Sequence, residues 1–143
     1  MHYMARPTSF RLPDDLVARV DAEATASGTS VTALVTSLLD EGLKTRRFPG
    51  VVYRSGPAGR RAALVRGPDI WEVIRAVRGG RGRGERRLQG VAADSGLGLD
   101  QVRLAVDFYA AFPDEIDARI AADDRAAAEV RESVERRDRL LTS

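Results

Sequence analysis

Thr8-Ser9-Phe10-Arg11-Leu12-Pro13-Asp14-Asp15-Leu16 decides the fold of this 143-residue chain, because it describes one short strand running directly into a helix. Phe10 and Leu12 alternate with Ser9 and Arg11, so one face of the strand is apolar and the other carries a hydroxyl and a guanidinium. Pro13 suits a helix's first turn, where a missing N–H costs nothing, and Asp14 and Asp15 suit the positive end of the helix dipole. An isolated strand leaves its backbone N–H and C=O groups unpaired, and no second strand pattern appears until two helices have passed. The economical arrangement is a second copy of the chain lying antiparallel to the first. Phe10 and Leu12 of both copies then face a shared helical core, and Ser9 and Arg11 project from the outer face of a two-stranded ribbon. Such a ribbon fits the major groove of DNA, where arginine bonds guanine O6 and N7 and serine reaches several base edges.

The residues that follow support that arrangement. Leu16, Val17, Val20 and Ala24 recur at helical spacing, and Gly28 ends the helix. Ser30 is placed to cap a second helix, in which Val31, Leu34, Val35, Leu38, Leu39 and Leu43 cover more than one side. A helix apolar over so much of its circumference needs partners on two sides, which a dimer supplies, with Phe10, Leu12, Leu34 and Leu38 at its core.

Residues 6–46 thereby resemble the ribbon-helix-helix superfamily of MetJ, Arc and CopG type, through the strand at 8–12, Pro13, the helix at 14–26, the Gly28-Thr29-Ser30 turn and the apolar helix at 31–43. The resemblance implies an intertwined, DNA-reading homodimer. The family's outward strand positions fall on Pro7, Ser9 and Arg11, and Pro7 departs from the pattern because it has no side-chain donor. By the same resemblance Ser9 and Arg11 read bases, while Arg6 and the helix start at Ser30, Val31 and Thr32 hold phosphates.

Composition narrows the chemistry. The chain has no cysteine, which excludes disulfides and thiolate catalysis, and its one histidine is His2, so a histidine acid–base or metal centre is not expected. Asp123-Asp124 and Glu115 with Asp117 are the nearest approach to a carboxylate ligand set, and adjacent acids on a charged helix face solvent; neither an enzyme nor a cofactor is expected. No run of about 18 apolar residues and no charged-then-apolar leader is found, so the expectation is a cytoplasmic protein without a membrane partner. The formal net charge is +2 but unevenly spread: zero over residues 1–48, +5 over 49–112 and −3 over 113–143. The basic balance suits a nucleic-acid partner.

The pattern changes at Phe48-Pro49-Gly50. Val51-Val52-Tyr53-Arg54 and Ala62-Ala63-Leu64-Val65 predict two short strands around the turn-rich Ser55-Gly56-Pro57-Ala58-Gly59. Asp69, with Glu72 three residues on, has capping-box spacing for a helix that carries Ile70, Trp71, Val73, Ile74 and Val77 and stops at Gly79-Gly80. The stretch from Gly79 to Arg87 predicts a flexible basic loop, since it lacks both a GK[ST] ending and a strand-to-helix GxGxxG. A short helix around Leu88, Val91 and Ala92 ends near Gly96, and Asp100 is placed to cap another over 101–112. Hairpin, helix, turn and helix together outline a winged helix-turn-helix. Pro113-Asp114-Glu115 starts a last helix with a thin apolar stripe that includes Ile116, Ile120, Val130 and Val134, expected, beyond the part docked on the second unit, to be partly frayed or to await a partner.

Residues 48 to about 120 resemble a small family of domains commonly joined to, or encoded beside, antitoxin sequences. The similarity lies in the Pro49-Gly50-Val51-Val52-Tyr53 opening, the Gly59-Arg60-Arg61 hairpin, the Trp71 helix and the segment from Gln101-Val102-Arg103 through Tyr109 to Pro113, Glu115 and Ile116. The resemblance implies a type II (VapB-like) antitoxin that represses its own operon and neutralises a PIN-type ribonuclease toxin, with Ile116, Ile120, Val130 and Val134 as toxin contacts; a stand-alone regulator without a toxin is the alternative. The expected fold is mainly α, with a ribbon-helix-helix domain at 1–47, a hairpin and helix-turn-helix-like domain at 48–112 and a helical tail at 113–143.

Overall fold

Pro13 stands at the point where the chain turns helical, and α1 runs from Asp14 to Ser27 before Gly28, at φ 65°, closes it by donating its N–H to Thr25 O. Only glycine takes that left-handed conformation without strain. Ser30 then caps α2, Val31–Arg47, its Oγ accepting the Ala33 N–H at 3.1 Å, as its sequence position predicts. These details come from a computed structural model, which describes residues 5–143. The chain divides into two compact units, the first ending at Lys44 and the second running from Thr45 to Ser143.

The first unit is nearly without a core of its own. Ala24 is its one buried residue among those described, and Leu16, Val20, Leu34 and Val35 are half-buried. Residues 5–13 form no helix and pair with no strand. Phe10 is 74 % exposed and Leu43 70 %, with Leu12, Val17, Val31, Leu38 and Leu39 also exposed.

The second unit holds the core. Strands β1, Val51–Gly56, and β2, Gly59–Leu64, pair antiparallel from Val51↔Leu64 to Gly56↔Gly59, extending past their apolar runs because the ladder continues through polar residues to the turn. Pro57 and Ala58 form the tip, and Gly59 takes φ 99°, a conformation that suits a glycine closing a tight hairpin. Arg54 folds under the turn that follows β2, donating to the carbonyls of Leu64, Val65 and Gly67 at 2.9–3.1 Å. Four helices follow: α3, Ile70–Arg78; α4, Gly84–Ser95; α5, Leu99–Ala111; and α6, Pro113–Thr142.

Phe108 and Val102 of α5, Ile70 of α3 and Leu64 of β2 are the largest fully buried side chains. Phe48 and Phe112 close over Phe108, with ring centroids 5.5 and 5.3 Å away. The described residues are thus mainly helical with one two-stranded antiparallel hairpin.

Four sequence expectations are corrected here. Asp69 precedes α3, but its carboxylate makes no cap bond; it accepts from Arg61 Nε at 2.5 Å and Trp71 Nε1 at 3.1 Å, a stronger attraction for a buried anion than a backbone amide offers. Asp100 does not cap α5, which begins at Leu99; the Gln101 side chain instead accepts the Gly98 N–H at 2.9 Å. The basic loop is shorter than its composition suggests, because α4 already starts at Gly84 and takes in Glu85, Arg86 and Arg87. The last helix is continuous over 30 residues, and its first turns belong to the core, Ile116 being 3 % and Ile120 9 % exposed.

Candidate nucleic-acid interface

Arg6, Ser9 and Arg11 lie on the exposed segment that leads into α1, interleaved with the exposed Phe10 and Leu12. All five are exposed in the single chain, Phe10 more fully than Leu12. Ser30, Val31 and Thr32 form the exposed start of α2. The Ser30 hydroxyl takes the Ala33 amide, which leaves the earlier helix-start amides of Val31 and Thr32 outside that cap. Of the residues expected to form a dimer core, Phe10, Leu12 and Leu38 are exposed and Leu34 is half-buried. Leu34 and Leu38 line an open groove of about 570 Å³ with Leu16, Val20 and Ala26, rimmed by Arg19 and Glu23.

The proposed toxin contacts separate into two kinds. Ile116 and Ile120 are packed in the core of their own unit and offer no surface to another molecule. Val130 and Val134, 64 % and 48 % exposed, lie on the outer half of α6 with the exposed Leu140 and Leu141.

Besides the core packing of Ile116 and Ile120, α6 makes a set of charge pairs with its neighbours that sequence reasoning missed. Arg78 of α3 reaches Asp117 at 2.6 Å and the Tyr109 hydroxyl at 2.7 Å, and Tyr109 in turn donates to Asp117 at 2.9 Å. Arg75 pairs with Asp124 at 2.7 Å and Asp123 at 3.3 Å, while Tyr53 of the hairpin donates to both Glu115 oxygens at 2.9 Å. The available signal is a pair of matching stripes: Trp71, Arg75 and Arg78 recur at helical spacing on α3, as do Asp117 and Asp124 on α6. Which stripe meets which needs the fold. The Arg78 hydrogen bond, reinforced by Tyr109, holds the Asp117 carboxyl below its ordinary range. Glu72 moves the opposite way, its pKa raised first by burial and then by the neighbouring Asp69 charge.

Arg75 and Arg119 approach the Trp71 ring to 5.4 and 5.7 Å, and Arg119 Nε is a buried donor without a hydrogen-bond partner among the described residues. It borders a cavity of about 260 Å³ shared with Arg61, Trp71 and Glu115. No group of three or more His, Cys, Asp or Glu side chains suited to a metal comes together among the described residues, and none of their helices is long and apolar enough to cross a membrane. His2 lies outside the described residues. Comparison with models of protein families, with curated proteins and with solved structures found no match to this chain.

Proposed function

We propose that the chain is a homodimeric, ribbon-helix-helix DNA-binding antitoxin that represses its own operon and neutralises a PIN-type ribonuclease toxin. One observation carries the DNA-binding part: the first unit exposes Phe10, Leu12, Leu38, Leu39 and Leu43 and buries only Ala24 among its described residues. Two helices and an unpaired segment with so little core do not hold together by propensity alone. A second copy pairs the two segments as an antiparallel ribbon, satisfies their backbone groups and covers the exposed leucines. Ser9 and Arg11 of both copies then face outward into a major groove, Arg11 as the bidentate guanine reader, with Arg6 and the α2 starts on phosphates.

The outer half of α6 supports the toxin-binding part. It extends past the residues that dock it and presents Val130, Val134, Leu140 and Leu141 to solvent, the pattern of a helix that lays an apolar face into a partner's groove. The core role of Ile116 and Ile120 shortens this surface. That shortening favours, as the second reading, a regulator that works without a toxin.

Arg11→Ala tests the DNA-binding part. Operator binding is expected to weaken by roughly 1–3 kcal/mol, with discrimination lost at one position per half-site. Unchanged affinity and specificity would remove the ribbon from base readout. Co-purification with the product of the adjacent gene tests the toxin: capture of a small nuclease, silent in the complex, supports the antitoxin reading, and a dimer that arrives alone yet binds its promoter supports the regulator.

A further inference from the structure

Between α3 and α4 the chain makes a short turn in which glycine alternates with arginine: Gly79-Gly80-Arg81-Gly82-Arg83-Gly84. The turn has a defined shape. Gly82 and Gly84 take φ 80° and 54°, values that only glycine adopts freely, and Arg87 Nε donates back to the Gly82 carbonyl at 3.0 Å. Gly80 is packed so closely that a Cβ there would lie 3.0 Å from Arg87 Cγ and 3.2 Å from the Val77 carbonyl oxygen.

On this frame Arg81, Arg83 and Arg86 are all exposed, Arg86 one helical turn beyond Arg83. The one acid of the stretch, Glu85, is taken by Arg103, which also approaches Asp100 at 3.6 Å. Arg83 occupies the cap position of α4 without supplying a side-chain cap, so the positive end of a 12-residue helix adds to the three guanidinium groups. Residues 49–112, which contain the turn, carry a net charge of +5.

We propose that Arg81, Arg83 and Arg86 form a second DNA-contacting surface, a ridge that binds the phosphate backbone of duplex DNA without reading bases. The proposal rests on the DNA-binding reading above for its choice of polyanion. The chemistry narrows the ligand further. Guanidinium forks match phosphodiester oxygens two at a time, and 22 of the 23 basic residues in this chain are arginine. Residues 79–87 contain no aromatic side chain, so the ridge has no platform on which unpaired bases could stack. They contain no large apolar side chain either, so nothing would anchor the ridge in a lipid interface. Duplex phosphates require only charge and donors, and the glycines let the backbone come close to the strand.

The test uses the full chain and a labelled random-sequence duplex of about 30 base pairs, titrated by fluorescence anisotropy over a salt series. Each phosphate that the protein no longer neutralises removes ~0.9 from the slope of log Kd against log salt. The triple variant R81A/R83A/R86A should therefore flatten that slope by about 2–3 and weaken binding at least about tenfold near 100 mM salt. A charge-matched triple on α6, R131A/R136A/R139A, should leave the slope unchanged. An effect no greater than that of the α6 control, or a larger effect on the single strand than on the duplex, overturns the ridge. Arg11→Ala, titrated in parallel against the operator and the random-sequence duplex, separates the two proposals. If it spares operator specificity while the ridge triple still flattens the slope, base readout by the ribbon fails and the ridge stands. If the ridge triple changes nothing while Arg11→Ala relaxes specificity, the reverse holds.

Discussion

Phe10→Ala measures how far the first unit depends on a second copy. Phe10 is 74 % exposed in the single chain and sits in no core of its own. Fully burying a phenylalanine is worth up to ~3 kcal/mol, so covering the exposed three-quarters contributes roughly 1.5–2 kcal/mol per copy. Both copies lose it together, which sums to about 3–4 kcal/mol, on the order of several hundredfold in the dimer dissociation constant. Sedimentation equilibrium over a dilution series reads this directly. Because association stabilises the folded state by mass action, the thermal midpoint of the wild type should also rise with concentration, and that of the variant should lie lower at any given concentration. Leu140→Ala, an equally exposed residue at the far end of α6, is the control and should leave the dimer unchanged. A Phe10→Ala dissociation constant within threefold of wild type, roughly 0.65 kcal/mol, would refute burial of this residue at a copy-to-copy interface.

Four further outcomes follow from the second unit. Asp69→Ala strips the Arg61 guanidinium and the Trp71 N–H of their shared, buried acceptor and should cost about 2–4 kcal/mol in urea unfolding, followed by the fluorescence of the single tryptophan; a cost below about 1 kcal/mol would show that solvent replaces the carboxylate. Glu72 has a folded-state pKa above its ordinary value, so the folded protein holds that proton more tightly and this residue's contribution to stability falls as pH rises through the raised range. Glu72→Gln should therefore raise the thermal midpoint at neutral pH and change it little in acid, where Glu72 is protonated in both states; the same gain at both pH values would sink the argument. Asp117 is shifted the other way, and the stability it contributes is lost as pH falls through its lowered range. Truncation after Arg125 should leave the second unit folded, because the core residues of α6 and the charge pairs that join it to α3 end at Asp124, whereas truncation before Pro113 removes Ile116 and Ile120 and should unfold it. Amide hydrogen exchange of α5 distinguishes the two.

Local chemistry was legible from the residues alone. Pro13 and Gly28 bound the first helix, Ser30 caps the second, and Gly79, Gly96 and Pro113 mark ends and starts, because each acts through its own φ angle, missing N–H or short side chain, whatever the rest of the chain does. The mainly α character with one hairpin followed from the same spacings. Where an expectation failed, a distant partner outcompeted a local one. Asp69 has capping-box spacing, yet Arg61 and Trp71 claim its carboxylate. Ile116 and Ile120 sit on a sparse stripe that reads as a docking edge, yet they pack into the core shared by α3 and α5.

The order of residues alone places the helices and turns, rules out cysteine chemistry, and marks Phe10, Leu12 and the α2 leucines as an apolar set too large for two helices. It took the folded chain to separate the core half of α6 from its surface half, and to show that Arg87 holds the glycine-arginine turn to a shape. The pairing of Arg61, Arg75 and Arg78 with their carboxylates also emerged only there. The two kinds of information differ in range. Caps, turns and helical periodicity depend on neighbours within about four residues, whereas the pairs that dock α6 bring together residues 39 and 49 positions apart.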